Sequence, residues 1–334
     1  MTIARFLTLI AILLVPWMTA LTANSKSAPG LLLVANKGEH TLGIVDPEAG
    51  RQIAVIPEGG VTGHEVVASP DGKRAFVPIY GDSGVGMPGS EGSKIDVIDI
   101  ASRKVVHTIE FGRGVRPHCA VFGPKDGLLY VTTELDKSVS IIDPNTLKII
   151  GSVPTGQPES HMLAISDDGR RGYTANVGPG TVSVLDLAAR KTVTVIPVAK
   201  HVQRVSVSPD GRWVFTSDTT KPRLAVISAK TNKIDRWIAL PGTGYGTAST
   251  PDGKWLLVAL PEANAVAVID LGSLQVSKTI RVPAAPQEVL VRPGGKAAYV
   301  SCDQSHQVAA IEIGDWSVKL IGAGKGVDGL AWAK

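Results

Sequence analysis

The sequence predicts an all-β fold: a seven-bladed β-propeller with four antiparallel strands per blade and a ring closed by the C-terminal strand. Three observations support this prediction. A strand–turn–strand pattern recurs along the chain, as in residues 61–80 (VTGHEVVASPDGKRAFVPIY). Seven similar apolar segments follow one another, and the two chain ends carry complementary parts of one blade. Short strands repeated at such a period are typical of propellers.

The turns of the repeat define its period. Successive Pro-Asp-Gly-type turns are spaced 54, 43, 42, 42 and 42 residues apart. They begin at Pro70, Pro124, Asp167, Pro209, Pro251 and Pro293. One strand precedes each turn and three follow it, and we call these strands A, B, C and D. One repeat is therefore one blade.

Residues 1–23 read as a secretory signal peptide. Arg5 provides a positive charge, residues 6–18 are apolar, and Leu21-Thr22-Ala23 forms a small-residue cleavage site. The apolar run is short for a membrane span and no stop-transfer pattern follows it. We therefore expect a single domain at residues 24–334, a periplasmic or secreted location and no transmembrane anchor after cleavage. A retained N-terminal anchor is the alternative.

The chain ends predict ring closure. Residues 31–36, 41–46 and 51–57 read as three strands, without the strand that precedes a Pro-Asp-Gly turn. Residues 327–333 (VDGLAWA) supply such a strand, with no turn after it. The last strand should thus complete the first blade, which removes an exposed sheet edge.

Counting the B strands gives seven blades. The segments are LLLVAN (31–36), RAFVPI (74–79), LLYVTT (128–133), RGYTAN (171–176), WVFTSD (213–218), WLLVAL (255–260) and AAYVSC (297–302). LLYVTTE, RGYTANV and AAYVSCD, each after such a turn and before a strand like AVID, resemble the YVTN-family β-propeller repeat. The resemblance covers the mature chain and implies the fold. That family includes binding and surface proteins, and related propellers include lactonases and lyases, so function stays open.

Composition excludes several classes of function. The net charge is +4 without any Lys/Arg run, which disfavours nucleic acid or an anionic membrane as partner. The two cysteines, Cys119 and Cys302, form no CxxCH or CxxC motif, and no Walker or GxGxxG loop occurs. We therefore expect no haem and no nucleotide. A disulfide is possible but not implied, and neither cysteine has a visible activating partner.

Recurrent aspartates are interpreted as turn residues rather than metal ligands, since an Asp side chain can cap the amides of a following turn. They end the C strands (Asp46, Asp99, Asp143, Asp186, Asp270) or occupy Pro-Asp-Gly turns (Asp71, Asp210, Asp252).

Most histidines fall on one face of the predicted ring. Strand alternation places the D–A and B–C loops on one face, which we call the histidine face, and the Pro-Asp-Gly turns on the other, the turn face. His64, His118 and His161 share one register, six residues before the turn position of their blades. The other blades carry Gln203, Tyr245, Gln287 and Asp328 at that register.

A second polar row lies two residues upstream, where three blades carry Arg116, Glu159 and His201. Residues two apart in an extended chain point the same way, so we expect this row to converge with the histidines. The longest insertion, Gly81–Ser93, is a Gly-rich B–C loop on the same face and could act as a lid.

Two interpretations of the aligned histidines stay open. His64, His118 and His161 could bind a divalent metal, with Glu159 or Glu65 as a further ligand or base and Arg116 holding a carboxylate. Alternatively, they are rim residues hydrogen-bonded to neighbouring loops.

Two functions follow from these interpretations. The first is a non-catalytic exported monomer that binds a small molecule, metal ion or periplasmic protein at the His-rich channel mouth. The candidate binding residues are then His201, Gln203, Tyr245, Gln287, Asp328 and Glu65. The second is a metal-assisted lactonase-like hydrolase or lyase, with Glu159 as base and Arg116 orienting an acidic substrate.

Overall fold

The computed structural model describes residues 30–82 and 84–334. The predicted signal peptide lies outside the described residues. Across these two ranges, no helical segment combines the length and hydropathy that a membrane span requires.

The described chain is built from 28 β-strands. The first half contains β1 (Leu31–Asn36), β2 (Thr41–Asp46), β3 (Arg51–Pro57), β4 (Val67–Ala68), β5 (Arg74–Gly81), β6 (Glu91–Asp99), β7 (Lys104–Glu110), β8 (Pro117–Phe122), β9 (Leu129–Thr133), β10 (Ser138–Asp143), β11 (Lys148–Pro154), β12 (Ser160–Ile165), β13 (Arg171–Asn176) and β14 (Thr181–Asp186). The second half contains β15 (Lys191–Pro197), β16 (Val205–Val207), β17 (Trp213–Asp218), β18 (Arg223–Ser228), β19 (Lys233–Ala239), β20 (Thr247–Ser249), β21 (Trp255–Leu260), β22 (Ala265–Asp270), β23 (Gln275–Arg281), β24 (Pro286–Val291), β25 (Ala297–Cys302), β26 (Gln307–Glu312), β27 (Val318–Gly322) and β28 (Val327–Ala333).

These strands form seven four-stranded antiparallel blades, which confirms the predicted fold class. Blades 2 to 7 take consecutive strands from β4 to β27, and blade 1 has the order β28-β1-β2-β3. Strand β28 pairs antiparallel with β1, with Leu33 opposite Ala331, so the chain ends close the ring as predicted. A single bridge between Gly322 and Arg51 joins the outer edges of blades 7 and 1.

Burial follows the position of each strand in its blade. The B and C strands are almost fully buried, as in β21 and β22, because both of their faces pack against neighbouring blades. The outer D strands, such as β23, alternate in exposure and carry charged residues, which suits an edge strand. The core therefore lies between blades; Phe215 and Leu224 of blade 5 belong to the same cluster as Leu256 of blade 6.

The predicted turn chemistry is confirmed in the turns that follow strands A and C. Asp71 Oδ1 accepts hydrogen bonds from Ser69 Oγ (2.6 Å) and Lys73 N (3.1 Å), and Asp210 Oδ1 accepts from Ser208 Oγ (2.6 Å) and Arg212 N (3.0 Å). Asp46, which ends a C strand, caps the amide of Glu48 at 2.9 Å.

The insertion in blade 2 is shorter than predicted. We expected a loop over Gly81–Ser93, but Gly81 pairs with Glu91, so β5 runs through Gly81 and β6 begins at Glu91. Backbone pairing continues into this Gly-rich stretch because a ladder needs no particular side chain. The loop between these strands includes residues 82 and 84–90 of the described chain, and we call it the mouth loop.

Candidate functional site

Three histidines meet at one end of the central channel. His64 precedes β4, while His118 and His161 lie in β8 and β12, which are the innermost strands of their blades. The ring centroids of His118 and His161 are 3.5 Å apart with planes inclined at 32°, and His64 lies 5.4 Å from His118 with its ring nearly perpendicular. The common register predicted for these residues therefore brings them into contact. We call this group the histidine mouth.

The three imidazoles are held in their neutral form. His118 and His161 are 2% and 3% exposed, and the Nδ1 atom of each has no hydrogen-bond partner within the described residues. Burial, followed by the nearby imidazoles, lowers the pKa of both well below the usual value. Burial also lowers the pKa of His64 to about 4, although Asp328 partly opposes the shift. A neutral imidazole keeps one unprotonated ring nitrogen, which can act as a ligand donor.

Tyr80, which the sequence analysis did not single out, completes the histidine mouth. Its ring centroid lies 4.9 Å from His64, 5.1 Å from His118 and 5.9 Å from His161. Its buried hydroxyl donates a hydrogen bond to Glu134 Oε2. Burial and the Glu134 carboxylate raise the pKa of Tyr80, which keeps the hydroxyl protonated as a donor.

A register signal could have found these residues. Lys37, Tyr80 and Glu134 each occupy the position directly after the predicted B strand of their blade. These three neighbouring blades thus carry a polar or aromatic residue at the same position of the predicted B–C loop. The histidines were found from the same kind of recurrence, so this signal could have identified Tyr80 and Glu134.

Arg116 anchors the mouth loop. Its Nη2 donates to the carbonyl of Met87 at 2.7 Å, and its Nη1 donates to Glu134 Oε1 at 3.3 Å. The amide of Gly86 donates to the same carboxylate oxygen at 3.2 Å. The Arg116–Glu134 pair is almost fully buried, so it ties the loop to blade 3 in surroundings of low polarity.

Arg116 and Glu159 do not continue the extended strands that we expected. Their φ angles are +51° and +53°, so both backbones are left-handed and the side chains leave the alternation of the following strand. Glu159 Oε2 instead accepts a hydrogen bond from the amide of Gly178 at 2.7 Å. Both side chains line a cavity of about 430 Å³ together with Met87, Leu135 and other loop residues on the histidine face.

An ionic group, which we call the Arg204 cluster, fills the centre of the channel. Arg204 Nη2 lies 2.9 Å from Glu65 Oε1 and 3.0 Å from Asp328 Oδ1, while Nη1 lies 3.9 Å from Glu288. Lys37 Nζ contacts the other oxygen of Asp328 at 3.1 Å. Arg204 and Glu288 were missed from the sequence, because each sits one residue after the register that we examined.

Burial divides the carboxylates of the Arg204 cluster into two kinds. Burial alone would raise the pKa of Asp328, but Lys37 and Arg204 hold it below its usual value. Burial raises the pKa of Glu65 and raises that of Glu288 to about 7, despite the attraction of Arg204. The cluster therefore holds one firmly ionised carboxylate and two that retain protons more readily.

The remaining predicted site residues divide into two groups. Glu65, Asp328 and Tyr245 belong with Arg204, whose guanidinium lies 5.4 Å from the ring centre of Tyr245. Gln203, Gln287 and His201 are half-buried on the histidine face, outside the ring contacts and ion pairs described above. The carbonyl of His201 accepts a hydrogen bond from the Thr219 amide at 3.2 Å.

Both cysteines are buried free thiols. Burial raises the pKa of Cys119 and of Cys302 above the usual value, which makes each a poor nucleophile.

Comparisons with known proteins place this chain among propellers. Residues 122–249 match the family described as the Cytochrome D1 heme domain, which is less than half of the chain. Among solved structures, hydrazine synthase from Kuenenia stuttgartiensis is similar with a TM-score of 0.71 and 18% identity, covering 85% of this chain and 92% of that one. Dihydro-heme d1 dehydrogenase NirN, solved in complex with DHE, has a TM-score of 0.65 and 15% identity, covering 90% and 75%.

A functionally unknown protein from Desulfotomaculum acetoxidans DSM 771 has a TM-score of 0.76 and 13% identity, covering 91% of this chain and 99% of that one. No curated protein is significantly similar in sequence. These likenesses support a β-propeller, and at such identities the structures show the fold alone. They do not support the YVTN repeat specifically, which stays a prediction.

The cofactor prediction is wrong. The match to the Cytochrome D1 heme domain contradicts the expectation of no haem. The absence of a CxxCH motif speaks only to covalent attachment, because haem is also held without thioether bonds. In residues 30–82 and 84–334, no group of three or more His, Cys, Asp and Glu side chains is arranged to hold a metal ion. The predicted His64, His118 and His161 triad is therefore not such a group.

Proposed function

We propose that this protein is a non-catalytic propeller that binds a haem-type tetrapyrrole at the histidine mouth. The observation that carries the proposal is the cluster of three neutral imidazoles, of which His118 and His161 have Nδ1 atoms without partners in the described chain, in a protein that matches a heme-domain family over residues 122–249. Export, a single-chain state and a mature domain at residues 24–334 remain part of the proposal.

The residues at this end of the channel fit such a group in three respects. Neutral imidazole is a common axial ligand of haem iron, and His64 is the least buried of the three histidines. The cavity beside the mouth loop, which Glu134 links to Tyr80 of the histidine mouth, presents exposed apolar side chains, with Met87 60% exposed and Leu135 39% exposed. Lys137, an exposed residue of the cavity lining, supplies positive charge for a carboxylate substituent.

Each residue would have a distinct part in binding. His64 would provide the ligating nitrogen, the exposed apolar side chains would cover the macrocycle, and Lys137 would pair with a carboxylate at the rim. A bound haem would supply a redox-active iron centre, whose properties the surrounding polarity and hydrogen bonds tune.

The non-catalytic interpretation is favoured by the contacts of the two candidate catalytic residues. Glu159 is hydrogen-bonded to the Gly178 amide, and Arg116 is bound to both Glu134 and the mouth loop. Each is committed to holding the mouth together. The hydrolase alternative needed a divalent metal at the histidines, and we do not propose it.

Titration of the purified mature chain with ferric haem tests this proposal. We expect saturable one-to-one binding with a shift of the Soret band, and about tenfold weaker binding with loss of that shift in His64→Ala. His107→Ala, which changes an exposed histidine on the outer strand β7, serves as the control and should bind as the wild type does.

Metal-free protoporphyrin separates the fit of the cavity from iron ligation. We expect it to bind the wild type and His64→Ala equally, because it makes no iron–imidazole bond. Equal haem binding and equal spectra in wild type and His64→Ala, or no saturable binding at all, would overturn the proposal.

A further inference from the structure

The channel continues below the Arg204 cluster into a second cavity. Its volume is about 360 Å³, within the range of small-molecule sites. Strand A runs from the histidine face to the turn face, so Glu65, Arg204 and Glu288 lie at the inner end of this cavity. Apolar residues such as Ala68, Leu163 and Trp332 line it further down. We call this space the lower channel.

The polar end of the lower channel has unused bonding capacity. Glu65 and Arg204 are 5% and 6% exposed, yet Glu65 Oε1 and Arg204 Nε have no hydrogen-bond partner in the described chain. Arg204 lies 2.9 Å from Glu65 Oε1, close enough for an ion pair but without hydrogen-bond alignment. Buried polar atoms without partners are costly, and a ligand donor reaching Glu65 would satisfy one of them.

The charges at this end select the kind of ligand. Two carboxylates and one guanidinium border the lower channel, while Lys37 and Asp328 neutralise each other on the far side. With both carboxylates ionised, this end carries one excess negative charge. Apolar walls beside a buried negative charge favour an organic cation over a hydrated metal ion, which would need several oxygen ligands.

We propose that the lower channel binds a small primary alkylammonium ion, with its ammonium group between the Glu65 and Glu288 carboxylates and its chain along the apolar wall. An ammonium group has three donors, enough for both carboxylates. This site is separate from the histidine mouth, because the Arg204 cluster lies between them.

Binding is coupled to proton release. Burial raises the pKa of Glu65 and raises that of Glu288 to about 7. Arg204 opposes both shifts and the Glu288 carboxylate adds to that of Glu65, so near neutral pH the pair retains a proton. The ammonium ion enters and that proton leaves to solvent, so the charge of the site is unchanged. The other charged or titratable groups around this pair are Arg204, Asp328, Lys37, Tyr245, His64 and the Cys119 thiol, which lines the same cavity.

Calorimetric titration with n-hexylammonium, n-hexanoate and n-hexanol tests the proposal. We expect one-to-one binding of n-hexylammonium, tighter at pH 8 than at pH 6, with a heat that depends on buffer ionisation enthalpy because a proton is released. The anion and the neutral alcohol should bind at least about tenfold more weakly. Equal or tighter binding of n-hexanoate or n-hexanol, or no binding of n-hexylammonium, would overturn the proposal.

Two variants locate the site. Glu288→Gln keeps the side-chain shape and removes the charge, so we expect about tenfold weaker binding and no proton release. Ala68→Leu fills part of the apolar wall and should weaken binding without changing proton release per ligand bound. Glu110→Gln, at an exposed position on β7, is the matched control. Binding that neither Glu288→Gln nor Ala68→Leu changes would contradict the assignment.

Discussion

The imidazoles of His118 and His161 pack against each other across two neighbouring blades, with ring centroids 3.5 Å apart and planes inclined at 32°. Two charged imidazolium rings at this separation would repel each other strongly in a buried position. Each blade thus contributes a ring that must stay neutral for the pair to pack. The histidines of the mouth are therefore kept unprotonated by the folded propeller, because folding brings the two blades and their imidazoles together.

Acid should destabilise the protein through the histidine mouth. Above pH 6.5, the ordinary pKa of histidine, these imidazoles are neutral in both the folded and the unfolded state and contribute nothing. As the pH falls below that value the unfolded chain binds protons that the folded mouth excludes, until about pH 4 for His64. Each histidine then lowers the free energy of unfolding by about 1.4 kcal/mol per pH unit.

Urea unfolding at several pH values checks this prediction. Removing one titrating ring in His118→Asn should make the fall between pH 6.5 and 5 shallower by about 1.4 kcal/mol per pH unit. His107→Asn, on the outer strand, should keep the wild-type slope. The comparison is made between variants because Glu65 and Glu288, with raised pKa values, act in the opposite direction. Identical slopes in His118→Asn and wild type would contradict the buried neutral state.

Tyr80→Phe should destabilise the protein, because it removes the hydroxyl that donates to the buried Glu134 carboxylate. Arg116 and Gly86 remain as partners of Glu134, so we expect a loss of about 1–3 kcal/mol in the free energy of unfolding. Chemical denaturation measures it, and Tyr80→Phe as stable as wild type would show that this hydrogen bond is dispensable.

Tyr130→Phe provides the matched control for ligand binding. The Tyr130 hydroxyl donates to Asp126 at 2.7 Å, next to a Pro-Asp-Gly-type turn on the turn face. Its removal should cost stability without changing haem affinity, whereas Tyr80→Phe should change both.

Gly86→Ala should displace the mouth loop. Gly86 has φ +68°, and an added Cβ would lie 2.7 Å from Glu159 Oε1, so the substitution combines strain with a close contact. A left-handed alanine alone costs about 1–2 kcal/mol. We expect about tenfold faster proteolysis within residues 82–90, measured by limited digestion of the native protein.

Gly84→Ala is the control for this experiment, because its Cβ would meet only Met87 Cγ at 3.6 Å. It should be cleaved at the wild-type rate. Equal cleavage of Gly86→Ala and Gly84→Ala would mean that an added Cβ at position 86 does not displace the loop.

Most of the fold could be predicted from local patterns. The Pro-Asp-Gly turns and the B strands set seven blades, and residues 327–333 predicted ring closure, which the pairing of β28 with β1 confirms. The boundary at Glu91 was missed because backbone pairing continues through glycines without a side-chain signal. We expected Arg116 and Glu159 to lie in extended backbone, but both have a left-handed φ. Neither arginine nor glutamate favours that conformation, so no sequence signal marked it.

The site was predictable only where it repeats. His64, His118 and His161 could be grouped because one register recurs in adjacent blades. No other blade carries an arginine at the position that corresponds to Arg204. Its partners are also distant in sequence: Asp328, for example, lies 124 residues further along the chain. A pairing of this kind depends on rotamers and on which inner strands face each other across the channel.

Local sequence patterns were enough to predict the all-β class, the number of blades, the closure of the ring and the face on which three histidines gather. These features rest on strand alternation and turn chemistry, which act over a few residues and repeat along the chain. Only the tertiary structure decided that Tyr80 joins the histidines, that Glu134 and Arg116 anchor the mouth loop, and that the Arg204 cluster divides the channel. Those contacts form between blades, and they exist only once the closed ring has brought distant segments to a common axis.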